Sequence, residues 1–337
     1  MPARIVGVRP LSALEGARIT IDGSDFPVDA PHLPDVRIGD IAARVVFASA
    51  ERLVVVVPAG LAAGLAPIRV TGAAGLTPFV NVAAPFATGL HQVDNPVFDR
   101  DGSLYVTFSG TRGQQVPVSI FKVRSDGTRV AFSSGIVNPT SMAIDPEGQL
   151  YVSSRFEGIV YRVTLDGTAE PFATELGVAC GLAFGSASEG GVLYVGDRSG
   201  TIFKVDRDGR ATTFASLPPS VAAFHLAYGP PGPQAALWAT GPTLSSYDAL
   251  YRIDADGTVS RHCEGFGRPQ GLAFDSRGRL HVVEALSGAS GLYHIPVDGA
   301  PELVLAGPGL VGIAFSATGD IVVTSNDTAY RAPAQRG

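Results

Sequence analysis

Residues 271–282 read Gly271-Leu272-Ala273-Phe274-Asp275-Ser276-Arg277-Gly278-Arg279-Leu280-His281-Val282, and the chain runs on to Leu292-Tyr293-His294-Ile295 and Asp298-Gly299. Three short apolar runs are separated by polar, glycine-bearing turns, the pattern of consecutive strands. Asp-Gly between such runs is a hairpin signal, because glycine tolerates the positive φ these turns need. The turn before the second strand recurs at Asp101-Gly102-Ser103-Leu104-Tyr105-Val106, Glu147-Gly148-Gln149-Leu150-Tyr151-Val152 and Gly190-Gly191-Val192-Leu193-Tyr194-Val195. It recurs again at Ala235-Ala236-Leu237-Trp238-Ala239 and at Thr318-Gly319-Asp320-Ile321-Val322-Val323. The equivalent Leu/Ile positions are 104, 150, 193, 237, 280 and 321, spaced by 46, 43, 44, 43 and 41.

Each unit also holds a first strand, as in Ser141-Met142-Ala143-Ile144-Asp145, and a third, as in Val160-Tyr161-Arg162-Val163. An Asp-Gly turn follows at 126–127, 166–167, 208–209, 256–257 and 298–299, and then a last strand such as Glu170-Pro171-Phe172-Ala173. Four antiparallel strands in about 43 residues, six times over, predict a six-bladed β-propeller. The sixth unit ends near Ala329-Tyr330-Arg331 with no room for a fourth strand. Pro85-Phe86-Ala87-Thr88 resembles Pro171-Phe172-Ala173-Thr174, so Ala84–Thr88 is expected to close the last blade and remove an open edge. The propeller is thus expected over 83–334 and a separate domain over 1–82.

Composition agrees with an all-β chain. Gly (41) and Pro (25) make up about a fifth of the 337 residues, against about 12% in average usage. Both disfavour helix interiors, while 45% hydrophobic residues exclude a disordered chain. The formal charge of −6 argues against a nucleic-acid binder. Two cysteines, Cys180 and Cys263, make no disulfide framework. The opening Met1–Pro10 lacks the apolar core of a signal peptide, so the expectation is a soluble, cytoplasmic chain, or a secreted one if a leader has been removed. No membrane partner is expected.

Residues 1–82 carry seven basic and seven acidic residues and read as seven short strands, the pattern of a small β-sandwich. Gly16-Ala17-Arg18-Ile19-Thr20-Ile21-Asp22-Gly23-Ser24-Asp25-Phe26, with Val8-Arg9-Pro10, Val36-Arg37-Ile38-Gly39 and Val55-Val56-Val57-Pro58, resembles the immunoglobulin-like TIG (IPT) family. The resemblance implies a spacer or docking module, its usual part in bacterial chains. The six repeats resemble the NHL family and the related regucalcin/gluconolactonase family.

That second resemblance implies a fold, and it raises one activity: a lactonase assisted by a divalent cation in the central channel. Asp94-Asn95-Pro96-Val97-Phe98 resembles the family's Glu-Gly-Pro-Val-Trp, which makes Asp94 a candidate ligand for Ca²⁺. The positions of the remaining ligands fall on Cys180, Phe224 and Gln270, and the whole ring reads Asp94, Thr140, Cys180, Phe224, Gln270, Val311. One acidic ligand out of four would hold a hard cation weakly, so no cofactor is expected and the hydrolase stands as the alternative.

The leading expectation is a non-catalytic module that binds a small polar ligand, a peptide or a protein. Its site would be the face shared by loops entering the innermost strands and loops leaving the second strands. That face gathers Asp94, Asn95, Asn138, Arg155, Glu157, Asp197, Arg198, His225, Tyr247, Asp248, Arg268, Gln270, Glu284 and Asn326. The plain alternative is a solvated rim of ion pairs. Asp197 and Glu284 hold equivalent places and could form an acidic cluster with Asp94. His225 is the one histidine suited to act as base or ligand. His281 is expected to pack and His294 to face solvent. Lys122, Arg162, Lys204, Arg252 and Arg331 recur in third strands and are expected to form a solvated face.

Overall fold

Each sequence unit folds as a four-stranded antiparallel sheet. In the second unit the order is Pro139–Ile144, Leu150–Ser154, Ile159–Val163, Ala169–Ala173. The computed structural model describes residues 2–28, 33–91, 95–186, 191–286 and 289–332. Six such units occur among these residues, five as separate sheets and the fifth in sequence continued into the N-terminal domain. Successive innermost strands are neighbours all the way round, the first meeting both the second and the sixth. This is a six-bladed propeller, and the described residues contain no helix. The sixth blade consists of Gly312–Phe315, Ile321–Thr324, Ala329–Ala332 and, from the front of the propeller segment, Ala84–Ala87. Ala84 pairs with Arg331 and Pro85 with Tyr330. Leu90 N–H adds a bond to Asp327 C=O at 3.0 Å.

Two details explain the repeat. The aspartate after the first strand folds its own turn: Asp145 Oδ1 accepts from Glu147 N (3.0 Å) and Gln149 N (2.8 Å), and Asp99 and Asp275 do the same in their blades. The glycine of the Asp-Gly turn has a second constraint beyond its φ. A Cβ on Gly167 (φ +88°) would lie 1.9 Å from Phe132 C=O in the preceding blade's outer strand. Gly209 faces Phe172 C=O and Gly257 faces Phe214 C=O in the same way, at 2.1 and 2.5 Å. These turns therefore seat each blade against its neighbour.

The third-strand cations are not simply solvated. Four of the five stand opposite the second-strand aromatic: Tyr105 pairs with Lys122, Tyr151 with Arg162, Tyr194 with Lys204 and Trp238 with Arg252, while Arg331 stands opposite Val322. Lys122 Nζ lies 5.2 Å from the Tyr105 ring centroid and Arg252 5.6 Å from that of Trp238. Ion pairs hold four of the heads, such as Lys122 to Asp99 at 2.9 Å. In blade five both members are histidine. His281 is buried and packs on Phe315, as expected. His294, expected in solvent, is instead half-buried against His281 and lies 3.5 Å from Glu302, because its register places it opposite a second-strand ring.

The N-terminal domain pairs its strands in the order Ser12–Ala13, Phe79–Val82, Gly64–Val70, Val36–Ile38, Ile41–Ala48, Arg52–Val56, Arg18–Ser24, Ala3–Arg9, Ala73–Ala74. One core, including Ile19, Ile38, Leu53 and Ile68, fills it. The two-residue strands Ser12–Ala13 and Ala73–Ala74 carry too little pattern to be read from sequence. The first of them joins the domains. It runs parallel both to Phe79–Val82 and to the outer strand of blade five, Glu302–Ala306. Leu14, 2% exposed, enters the core shared by blades five and six.

Gly167→Ala should cost about 3 kcal/mol or more in urea melts, whereas Gly299→Ala, whose Cβ would meet only Pro296, should cost about 1 kcal/mol. Equal costs would remove the blade-seating role. Burial, only partly opposed by Asp275, pushes the His281 pKa down to about 4. Unfolded imidazole titrates near about 6.5, so the folded state binds fewer protons and stability is lost as pH falls between these values. Between about pH 7 and about pH 5, His281→Phe should lose about 2 kcal/mol less stability than the parent. Parallel pH profiles for the two proteins would contradict this.

Candidate functional site

The loops entering the innermost strands and those leaving the second strands meet at one mouth of the central channel, where they enclose a cavity of about 430 Å³. Arg155 and Arg198 line it from equivalent places, each five residues past the leucine that opens its second strand, and Asn326 occupies the same place in blade six. Val178, Cys180, Gln270 and Val311 come from the innermost strands or the loops entering them, and Ala222 and Ala223 from the loop into blade four. Arg112 and Phe156 complete the rim.

The side chains fall into two groups. The first faces the cavity. Arg198 is oriented by its neighbouring loop: Nε donates to Ser220 C=O and Nη2 to Val221 C=O, both at 3.1 Å. Gln270 Oε1 lies 3.3 Å from His225 Nε2, so a fully buried imidazole braces the amide from behind. Cys180 is buried, and its Sγ donates to Val178 C=O at 3.1 Å.

The second group builds the loops. Asn138, buried with φ +49°, places its amide nitrogen within 3.0 Å of Ser109 Oγ, Gly110 C=O and Thr111 C=O. Its Oδ1 accepts from Gly113 N at 2.7 Å. This clamps the loop that carries Arg112. Asp197 and Glu284 cap backbone: Asp197 Oδ1 accepts from Val178 N at 2.7 Å, and Glu284 accepts from Arg268 N with both oxygens at 3.1 Å. Asp248 likewise accepts from Thr243 N and Oγ1, and Glu157 from the Tyr161 hydroxyl at 3.1 Å. None of Asp197, Glu284, Arg268 and His225 is part of the cavity lining, and the exposed Tyr247 borders a separate surface groove.

Asp94 lies outside the described residues. Asn95 belongs to the opposite mouth, where the ends of all six innermost strands enclose about 360 Å³ between mostly apolar walls. Phe224 is 1% exposed and packs between blades, against Gly196 and Gly241. No group of three or more His, Cys, Asp or Glu able to hold a metal ion occurs among the described residues. Of the residues expected on this face from sequence, Arg155, Arg198, Asn138, Gln270 and Asn326 line the cavity, while Arg112 and Phe156 line it without having been expected there. The available signal for Arg112 was its place in a long glycine-flanked loop, Gly110-Thr111-Arg112-Gly113.

The family model of the IPT/TIG domain matches residues 3–82, so this segment is an IPT/TIG domain. No curated protein matches the sequence. Among solved structures, a gluconolactonase from Xanthomonas campestris is similar with TM-score 0.60 and 14% identity, over 99% of this chain and 97% of that one. An auxiliary nutrient binding protein from Bacteroides thetaiotaomicron gives 0.57 and 15%, over 98% of each chain. A virginiamycin B lyase from Staphylococcus aureus gives 0.51 and 15%, over 88% and 94%. At these identities the likeness is one of fold, a β-propeller preceded in this chain by the IPT/TIG domain.

Asn138→Ala should cost about 2–3 kcal/mol in chemical unfolding, because buried backbone groups lose their partner. It should also raise proteolysis within 109–113. An unchanged midpoint would show that the loop holds itself.

Proposed function

We propose that the propeller is a binding module that takes a small polar ligand in the cavity at this mouth of the channel. One observation carries the reading: residues of blades two to six, and a loop of blade one held by Asn138, converge on a concave space of about 430 Å³. That size suits a small molecule, and pockets of this kind combine apolar walls with a few placed polar groups. It suits a folded protein partner less well. A structure similar over nearly its whole length is named as a nutrient binding protein, which favours the same reading here. The alternative, a cation-assisted lactonase centred on Asp94, draws on the gluconolactonase neighbour. The positions that would complete its ligand set hold Cys180, Phe224 and Gln270, and Phe224 is committed to the core.

Thermal melts against sugars, sugar acids, amino acids and short peptides test the reading. A ligand at about 100 times its Kd adds about 2.7 kcal/mol of stability. The resulting rise in Tm should vanish in Ala222→Trp, which fills the cavity. Protection that survives Ala222→Trp would place binding elsewhere. Calcium-dependent turnover of a lactone, lost in Asp94→Ala, would overturn a purely binding role.

A further inference from the structure

Among the described residues, the charged side chains that line the cavity are all basic. Arg112, Arg155 and Arg198 all line it, while no Asp or Glu does so among the described residues. The nearby acids are engaged elsewhere: Asp197 and Glu284 cap backbone N–H groups. The chain as a whole carries −6, so general charge balance does not account for arginines gathered here.

Arg198 has two of its five donors fixed on loop carbonyls, which sets the plane of the guanidinium and leaves three for a ligand. Arg112 stands on the loop that Asn138 clamps, so its backbone is held at the rim. Guanidinium groups recognise planar oxyanions through paired N–H bonds. The remaining wall is largely apolar, with Val178, Val221, Val311 and the half-exposed ring of Phe156.

Resting on the binding reading above, we infer that the ligand is a small organic carboxylate, its acid group held by Arg112 and Arg198 and its carbon part against Phe156 and the valines. The selection is electrostatic, and a concave, partly desolvated site strengthens it relative to open solvent.

Benzoate, benzamide and benzamidine share one ring and differ in charge, so calorimetric titration of all three at low salt tests the inference directly. Benzoate should bind about tenfold more tightly than benzamide, with benzamidine weakest, because a charge-assisted pair is about twice as strong as a neutral one. Arg112→Gln should weaken benzoate and leave benzamide unchanged, at unaltered Tm. Ala222→Trp should weaken all three. Equal affinities, or a preference for benzamidine, that still disappear in Ala222→Trp would overturn the carboxylate assignment and leave the binding site standing. Absence of binding by all three, or binding indifferent to Ala222→Trp, would overturn both.

Discussion

The ring depends on one antiparallel pairing, between Ala84–Ala87 and Ala329–Ala332. Without it the sixth blade would have three strands and an open edge, and the first and last innermost strands would lack a fixed spacing. The closing strand is held from two sides. Only Ala83 separates it from Phe79–Val82 of the IPT/TIG domain, which is tied through Ser12–Ala13 to the outer strand of blade five. The N-terminal domain is therefore built into the closure, with Leu14 buried in the core of blades five and six. Because the cavity is assembled from loops of separate blades, its shape is only as fixed as this ring.

Within blades one to four a second regularity appears in the middle strands. An aromatic ring and a cation stand opposite one another, and each such contact contributes about 0.5–1 kcal/mol at an exposed site. The outer-strand phenylalanines do two jobs: Phe132, Phe172 and Phe214 present a ring to the aromatic of the second strand and a carbonyl to the next blade's glycine. Blade five departs by using His281 and His294, which exchanges a contact whose charge is constant between neutral and acid pH for one that protonation of His281 weakens.

Much of this architecture was legible. Strand order, blade number and the closing strand follow from short motifs whose physics is local: an aspartate that folds its own turn, a glycine at positive φ, an apolar alternation. The site was less legible because residue type does not reveal a partner. Asp197 and Glu284 look like free acids in sequence, yet both cap backbone. Phe224 and His225 differ by one place along the chain, and that place decides which side chain braces Gln270 and which fills the space between blades. Ser12–Ala13 is invisible because one of its pairings is with a strand far away in the chain.

The arginines at the mouth are informative because the repeat pattern does not ask for them. Most acidic residues of the repeat have an architectural reason, since Asp99, Asp145 and Asp275 close turns and Asp126, Asp166 and Asp256 accept N–H bonds in the hairpins. The net charge of −6 is in large part a by-product of those turns. The position five residues past the opening Leu or Ile of the second strand closes no turn of this kind: it is Ser109, Pro242, Ala285 and Asn326 in four blades and arginine in the two adjoining blades two and three. Where a repeat tolerates serine, proline or alanine, two neighbouring arginines facing one cavity are a departure from local consistency, and such departures concentrate at functional sites. The chemistry of this protein is therefore best sought where its sequence stops repeating.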